Sequence, residues 1–341
     1  AASLAACETP VNKAIPYLVK PEEITLGVAN WYASTYYDGR DYAAVLVKTR
    51  EGRPIKITGN TLSKVSNGGT NARIQASVLS LYDSSRLAGP TINGKAAGWS
   101  TVDKEIGDKL AGISAKGGAI RLLSSTIISP STKAVIADFI AKYPTTKVVT
   151  YDAVSFAGLS KANAKSFGQE IIPTYHFDKA KVVVGIGADF LANWTADVST
   201  DYVKNRKVSR QKLEMSKHYQ FESNLSLTGA NADERIPVKV SEQGKVAVNL
   251  YNAVAKIVGV NSVASSALPY DTIIAKVAKD LAEHKGHSLV VSGSNDTDVQ
   301  VIVNAINELL GNYGKTIDLE NPSYLHQGDD QAFADLTAEM A

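Results

Sequence analysis

The chain of 341 residues has a single cysteine, Cys7. One thiol excludes an internal disulfide, and it excludes an all-cysteine iron–sulfur cluster, which needs about four thiolates. Histidines are few: His176, His218, His284, His287 and His326. Only the pair in His284-Lys285-Gly286-His287 is close in sequence, and no carboxylate or thiol spacing completes a zinc pattern around it. Charge of one sign is also scarce. The net charge is +2 with 21% charged residues, which argues against nucleic acid as a partner. No apolar run approaches the roughly 18 residues that a membrane-spanning helix requires, so membrane attachment is expected to come from a lipid or a partner.

Catalytic signatures are missing as well. There is no G-x-S-x-G, no Walker loop and no H-E-x-x-H. The nearest approach to a cofactor motif is Val182-Val183-Val184-Gly185-Ile186-Gly187-Ala188-Asp189-Phe190, a β-branched strand running into two glycines. A dinucleotide fingerprint needs a third glycine where Phe190 stands, so that the following helix can pack closely on the strand. Asp189 adds a negative charge where a pyrophosphate would approach. A second post-strand loop, Ser292-Gly293-Ser294-Asn295, has amides that could hold a phosphate; the simpler expectation is an ordinary strand–helix connection.

What is present is the composition of a globular chain, 44% hydrophobic and long enough for two domains. Small apolar residues at the start resemble the end of an export signal, and Leu4-Ala5-Ala6-Cys7 matches a lipobox, making Cys7 the candidate lipidation site. The alternative is an unmodified cysteine. Residues 1–41 then read as an extended arm broken by Pro10, Pro16 and Pro21. Residues 42–98 begin with a hairpin, Tyr42 to Lys48 and Ile55 to Thr58, with Gly52 available for a positive φ. Ile74, Val78 and Leu81 follow at helical spacing.

From residue 99 to 341 strands and helices alternate. Ser100 or Thr101 offers a helix cap, and Ile106, Leu110 and Ile113 form an apolar stripe. Strands are predicted at Ala119 to Ser124, Lys147 to Tyr151, Lys181 to Gly185 and Ser288 to Val291, and helices near 132–143, 245–258, 271–284, 299–309 and 331–340. Residues 195–222 read as a basic, less regular excursion. Strands without alternation argue for a mainly parallel sheet covered on both faces. The pattern ends on a helix, and the chain is expected to be truncated at its C-terminus.

Residues 45–60, Val-Leu-Val-Lys-Thr-Arg-Glu-Gly-Arg-Pro-Ile-Lys-Ile-Thr-Gly-Asn, resemble the hairpin in the first domain of molybdopterin oxidoreductases. So do Gly68-Gly69-Thr70-Asn71-Ala72-Arg73, Leu81-Tyr82-Asp83, Arg86-Leu87 with Pro90, and Gly98-Trp99-Ser100. The resemblance implies an α/β, molybdopterin-oxidoreductase-like fold, with a small N-terminal β-rich domain and a mainly parallel sheet flanked by helices. Where that family carries cluster cysteines, this chain has Tyr36, Tyr37, Asp38, Gly39, Asp41 and Asn71. The domain at 42–98 is therefore a degenerate cluster domain without thiolates. The usual molybdenum ligand would fall near Thr150 to Ser155, where Asp152 or Ser155 is the oxygen donor available.

Asn30-Trp31-Tyr32-Ala33-Ser34-Thr35, residues 48–56, Thr174-Tyr175-His176-Phe177-Asp178 and Ala188-Asp189-Phe190-Leu191 resemble one subfamily. It is the large iron–sulfur subunit of alternative complex III, a bacterial quinol:electron-acceptor oxidoreductase. That resemblance implies a cofactor-free, non-catalytic structural region on the periplasmic side of the inner membrane. Iron–sulfur clusters and haem c would lie elsewhere in the complex. The implied partners are a multihaem cytochrome c, quinol-binding membrane subunits and a cytochrome oxidase. The rival expectations are an active molybdopterin enzyme ligating its metal through Asp152 or Ser155, and a stand-alone extracytoplasmic binding protein.

Overall fold

A computed structural model describes residue 19 and residues 21–341; the lipobox and Cys7 lie outside the described residues. The first unit is an antiparallel sheet of three strands, β1 (Asn30–Tyr37), β2 (Tyr42–Arg50) and β3 (Arg53–Gly59). Arg50 pairs with Arg53, so the turn is only Glu51-Gly52, and both residues have positive φ, 51° and 76°. That is the twist a two-residue hairpin requires, and the glycine supplies it without a Cβ penalty. Tyr37 pairs with Tyr42, which draws the end of the arm into the sheet. Ala43, Val45 and Ile57 close a small core with Ile74 of α1 (Ala72–Ala76). A short hairpin, β4 (Thr91–Ile92) and β5 (Lys95–Ala96), leads out of the unit.

Next come α2 (Trp99–Ala115), β6 (Ile120–Ser124), α3 (Pro130–Lys142) and β7 (Thr146–Thr150). Helix α2 starts on Gly98 without a side-chain cap, which corrects the expected Ser100 or Thr101 cap. Helix α3 starts two residues before the expected 132, with the Ser129 side chain accepting from the Thr132 amide and Pro130 in the first turn. Strands β6 and β7 pair in parallel with each other and with no further strand among the described residues.

The larger sheet is built by β9 (Val182–Ile186), β10 (Lys217–Glu222), β11 (Glu234–Pro237) and β12 (Ser288–Ser292). Preceding it are α4 (Ala157–Phe167) and β8 (Ile172–Tyr175). Between its strands lie α5 (Phe190–Asn193), α6 (Ala196–Arg206), α7 (Leu227–Ala230), α8 (Gln243–Val258) and α9 (Asp271–Glu283). After it come α10 (Thr297–Leu309), β13 (Ile317–Ser323), which pairs antiparallel with β8, and α11 (Asp330–Met340). The strand order is β11-β10-β9-β12, all parallel. One face packs Val184, Tyr219 and Val290 against Leu250, Val277 and Ile306 of α8, α9 and α10. The other packs Val183 and Leu289 against Phe177, Phe190, Val198 and Tyr202. The molecule is thus a mixed α/β fold, with a small antiparallel sheet at the N-terminal side and a parallel sheet flanked by helices.

Residues 195–222 are less irregular than their basic composition implied, with only 195 and 207–216 outside regular elements. They form α6 and β10, and every residue of His218–Glu222 is buried. Strand β10 misleads because His218, Gln220 and Glu222 alternate with Tyr219 and Phe221, the pattern of a strand with one wet face. Here the polar face is covered and bonded internally. The Tyr202 hydroxyl meets His218 Nδ1 at 3.0 Å, and Gln220 Nε2 donates to the Ala188 carbonyl at 3.0 Å and to Glu222 Oε2 at 3.3 Å.

Candidate functional site

The sheet winds from β9 to β10 and β11, then returns to place β12 on the other side of β9. Such a reversal opens a crevice beyond the carboxyl ends of the two central strands, where open α/β sheets hold their ligands. A crevice of about 300 Å³ lies there, lined by Gly187 and Asp189 after β9, Ser292 to Ser294 after β12, Ser155 and Arg40 among others.

The two glycines of the first loop have structural tasks. A Cβ on Gly185 would stand 1.9 Å from Gln220 Oε1, so this glycine makes room for the buried amide of β10. Gly187 has φ +62°, and its loop touches its counterpart: a Cβ on Gly293 would meet the Gly187 carbonyl oxygen at 2.2 Å. Phe190 is packed inside the core against Phe177, with ring centroids 4.5 Å apart. The Asp189 carboxylate accepts from the Thr228 amide at 3.1 Å and hydroxyl at 2.8 Å.

Several loop amides that could cradle a phosphate are already committed. The Gly187 amide donates to the Phe221 carbonyl, that of Gly293 to the Ile186 carbonyl, and that of Ser294 to Ser292 Oγ. At the start of α10, Asp296 Oδ1 accepts from the Asp298 and Val299 amides. With these donors spent and Asp189 on the rim, the crevice does not fit a phosphorylated cofactor.

The two proposed metal donors are committed too. Asp152, 7% exposed, accepts from the Thr126 amide at 2.9 Å, the Thr126 hydroxyl at 2.5 Å and the Gly328 amide at 2.8 Å. It ties the loop after β6 and the loop after β13 to the end of β7. Ser155 borders the crevice, but its hydroxyl donates to Asp330 Oδ2 at 2.7 Å and accepts from the Ala157 amide at 3.1 Å. Both residues thus spend hydrogen-bonding capacity on protein partners at the place where the resemblance would put a metal ligand.

Asp41 and Asn71, two of the residues standing where the resemblance places cluster cysteines, come together. Asp41, 2% exposed, accepts from Arg73 Nε at 2.6 Å and Nη2 at 2.9 Å and from Asn71 Nδ2 at 2.8 Å. Asn71 also caps α1 by accepting from the Ile74 amide at 2.9 Å. The hydrogen bond to Asp41 raises the pKa of Arg73 against the opposing effect of burial. Burial would raise the neighbouring Asp38, yet the amides of Asp41 and Arg40 bring it below the ordinary carboxylate range. Burial, with the hydrogen bond to Asp38, pushes the Tyr36 hydroxyl up to about 12.

Arg73 reaches out of the unit: its Nη1 donates to the Ala192 carbonyl of α5 at 3.0 Å. Arg40 Nη2 donates to Asn193 Oδ1 at 3.0 Å. The charge network therefore bolts the small sheet onto the segment that follows β9. Sequence reasoning named Asp41 and Asn71 as replacements but missed Arg73 as their partner. The signal was available in a cation two positions after Asn71 on the same short helix.

No family model matches the chain, and no curated protein matches it. Among solved structures, the acetylene hydratase of Pelobacter acetylenicus is similar over 88% of this chain and 47% of its own, at 11% identity and a TM-score of 0.49. The formyltransferase/hydrolase complex FhcABCD of Methylorubrum extorquens, in complex with methylofuran, is similar over 64% of this chain and 56% of the matched chain, at 14% identity and a TM-score of 0.39. The chain spans about half the length of these structures. At such values the likeness bears on neither activity nor partners.

Proposed function

We propose that this chain is a cofactor-free, structural region of the large iron–sulfur subunit of an alternative complex III-type quinol:electron-acceptor oxidoreductase. It would sit on the periplasmic side of the membrane and hold cluster- and haem-bearing partners in place without performing chemistry itself. The observation that carries the reading is the Asp41–Arg73–Asn71 network. Where the residue-level resemblance puts cluster thiolates, a buried ion pair supplies the cross-link between loop and helix. A second support is the unit at 99–150, where Trp99, Ile106, Ile113, Leu123 and Val135 stay exposed among the described residues, as an assembly part would leave them. Among the described residues no helix is long and apolar enough to cross a membrane.

The test is to tag the chain in its host, purify the particle that carries it, and measure subunits, metals and pterin. The expected particle contains haem c and iron–sulfur subunits, lacks stoichiometric molybdenum, and releases no fluorescent pterin on oxidation. Stoichiometric molybdenum or a released pterin would overturn the cofactor-free reading. A soluble monomer without haem-bearing partners would overturn the assembly reading and favour the binding protein.

A further inference from the structure

A second cavity, of about 450 Å³, lies beyond Phe156 and Trp194 from the switch-point crevice, between β8, the start of α6 and the loop after β13, with Tyr42 of β2 on its wall. Its volume is in the range of small-molecule sites. Aromatic rings dominate it: Tyr175 and Trp194 have centroids 5.2 Å apart, and Phe156 stands edge-on to Trp194 at 6.1 Å. His326 stacks on Phe156 at 4.4 Å with 20° between the planes.

His326 is the unusual member. It is 4% exposed and sits in the left-handed region at φ +58°, which costs energy for a non-glycine residue. Neighbouring bonds enforce that conformation: the Gln327 amide donates to Thr126 Oγ1 at 2.7 Å and the Gly328 amide to Asp152 Oδ2 at 2.8 Å. Among the described residues its ring has no hydrogen-bond partner. Its ring nitrogens keep access to the cavity, where water or a ligand can reach them. The structure thus holds a strained, unpaired polar group on the wall of an aromatic cavity.

The one carboxylate on the wall, Asp197, is already served. Burial raises its pKa, but the Thr195 side chain and the first amides of α6 hydrogen-bond its carboxylate. Burial lowers the pKa of His326, so the ring is neutral at pH 7 and offers one acceptor and one donor. A charged ligand would find no free counter-charge here, whereas a flat apolar one finds stacking faces and an imidazole to anchor a hydroxyl.

We infer that this cavity binds an uncharged, planar aromatic small molecule whose hydroxyl group hydrogen-bonds to His326. The inference does not rest on the assembly reading, and it concerns different residues from the charge network; the cavity shares only Phe156 and Trp194 with the crevice.

Equilibrium dialysis of the full chain against 2-naphthol and against naphthalene tests it, since the pair differs only in the hydroxyl. Saturable binding with one site per chain is expected for both, with 2-naphthol about tenfold tighter, the ratio one net hydrogen bond supplies. His326→Asn keeps a residue that tolerates positive φ and should erase the tenfold preference while leaving naphthalene binding nearly unchanged. Ser323→Trp, on the cavity wall, should abolish binding of both. Circular dichroism confirms that each variant is folded. Absence of saturable 2-naphthol binding, equal affinity of the two compounds for the wild-type chain, or a preference that survives His326→Asn would each overturn the proposal.

Discussion

Two parallel strand–helix–strand arrangements in this chain share a grammar and differ in cover. In the β9–β12 sheet every residue of Val182–Ile186 and Ser288–Ser292 is buried, and α8, α9 and α10 each lay a buried stripe on it. In the β6–α3–β7 arrangement, α2 and α3 bury no residue. Trp99 is 67% exposed, Ile106 52%, Leu123 52% and Val135 66%. Apolar spacing records that a helix or strand has a face to hide, and it does not record what hides it. The first arrangement closes its own core; the second presents apolar surface of the kind that interfaces use.

The largest expected effect separates the two directly. Phe221→Ala removes a fully buried ring from the middle of the larger core and should cost about 3–5 kcal/mol in urea unfolding. Leu123→Ala in β6 should cost about 0.5 kcal/mol in the isolated chain. Equal losses would mean that the smaller arrangement has a core of its own.

Next in size is the bolt between the small sheet and α5. Arg73→Ala leaves the buried Asp41 without its counter-charge, held only by the Asn71 amide, and should cost about 3 kcal/mol, the low end of the range for a broken buried pair because Arg73 itself is 35% exposed. Arg73→Lys keeps the charge but not the fork, so it should recover only part of the loss. A neutral Arg73→Ala would remove the network from any role in joining the units.

How legible was all this in the sequence? The hairpin at 42–59, the βαβ alternation and the strands with β-branched cores were readable, because period and turn chemistry are local. Strand β10 was not, since burial of His218, Gln220 and Glu222 depends on partners distant in sequence, such as Tyr202 and Ala188. Strand β1 escaped because only its pairing with β2 distinguishes it from a loose arm. Of the site, Asp41 and Asn71 were legible as replacements, and Asp152 and Ser155 as oxygen donors; their protein partners were not, because those lie far away in sequence. His326 carried no sequence signal, because its φ and its lack of a partner are tertiary facts.

The covered polar face of β10 gives a pH prediction that sharpens the self-sufficiency of the larger sheet. Burial lowers the His218 pKa from 6.5 to about 4, against the hydrogen bond its Nε2 donates to Gln220 Oε1. The unfolded chain therefore takes up a proton near pH 6.5 that the folded chain refuses until about pH 4. Stability from this group is complete above pH 6.5 and is lost as pH falls toward 4, by up to about 3 kcal/mol. Thermal unfolding across that window should show the decline, and His218→Gln should flatten it. A profile unchanged by the substitution would place the ring in contact with water.

The smallest expected effect on stability carries the other half of the comparison. Ile106→Gln with Ile113→Gln changes two exposed residues of α2, 52% and 39% accessible, so the isolated chain should shift by less than about 0.5 kcal/mol. If that face is covered in an assembly, the same double variant should fail to co-purify with the haem-bearing partners, because each buried isoleucine contributes about 1.5–3 kcal/mol to an apolar contact. Stability and assembly would then respond in opposite order to Phe221→Ala and to the α2 variant. A double variant that assembles normally would return α2 to the solvent and leave the apolar stripe without a partner to explain it.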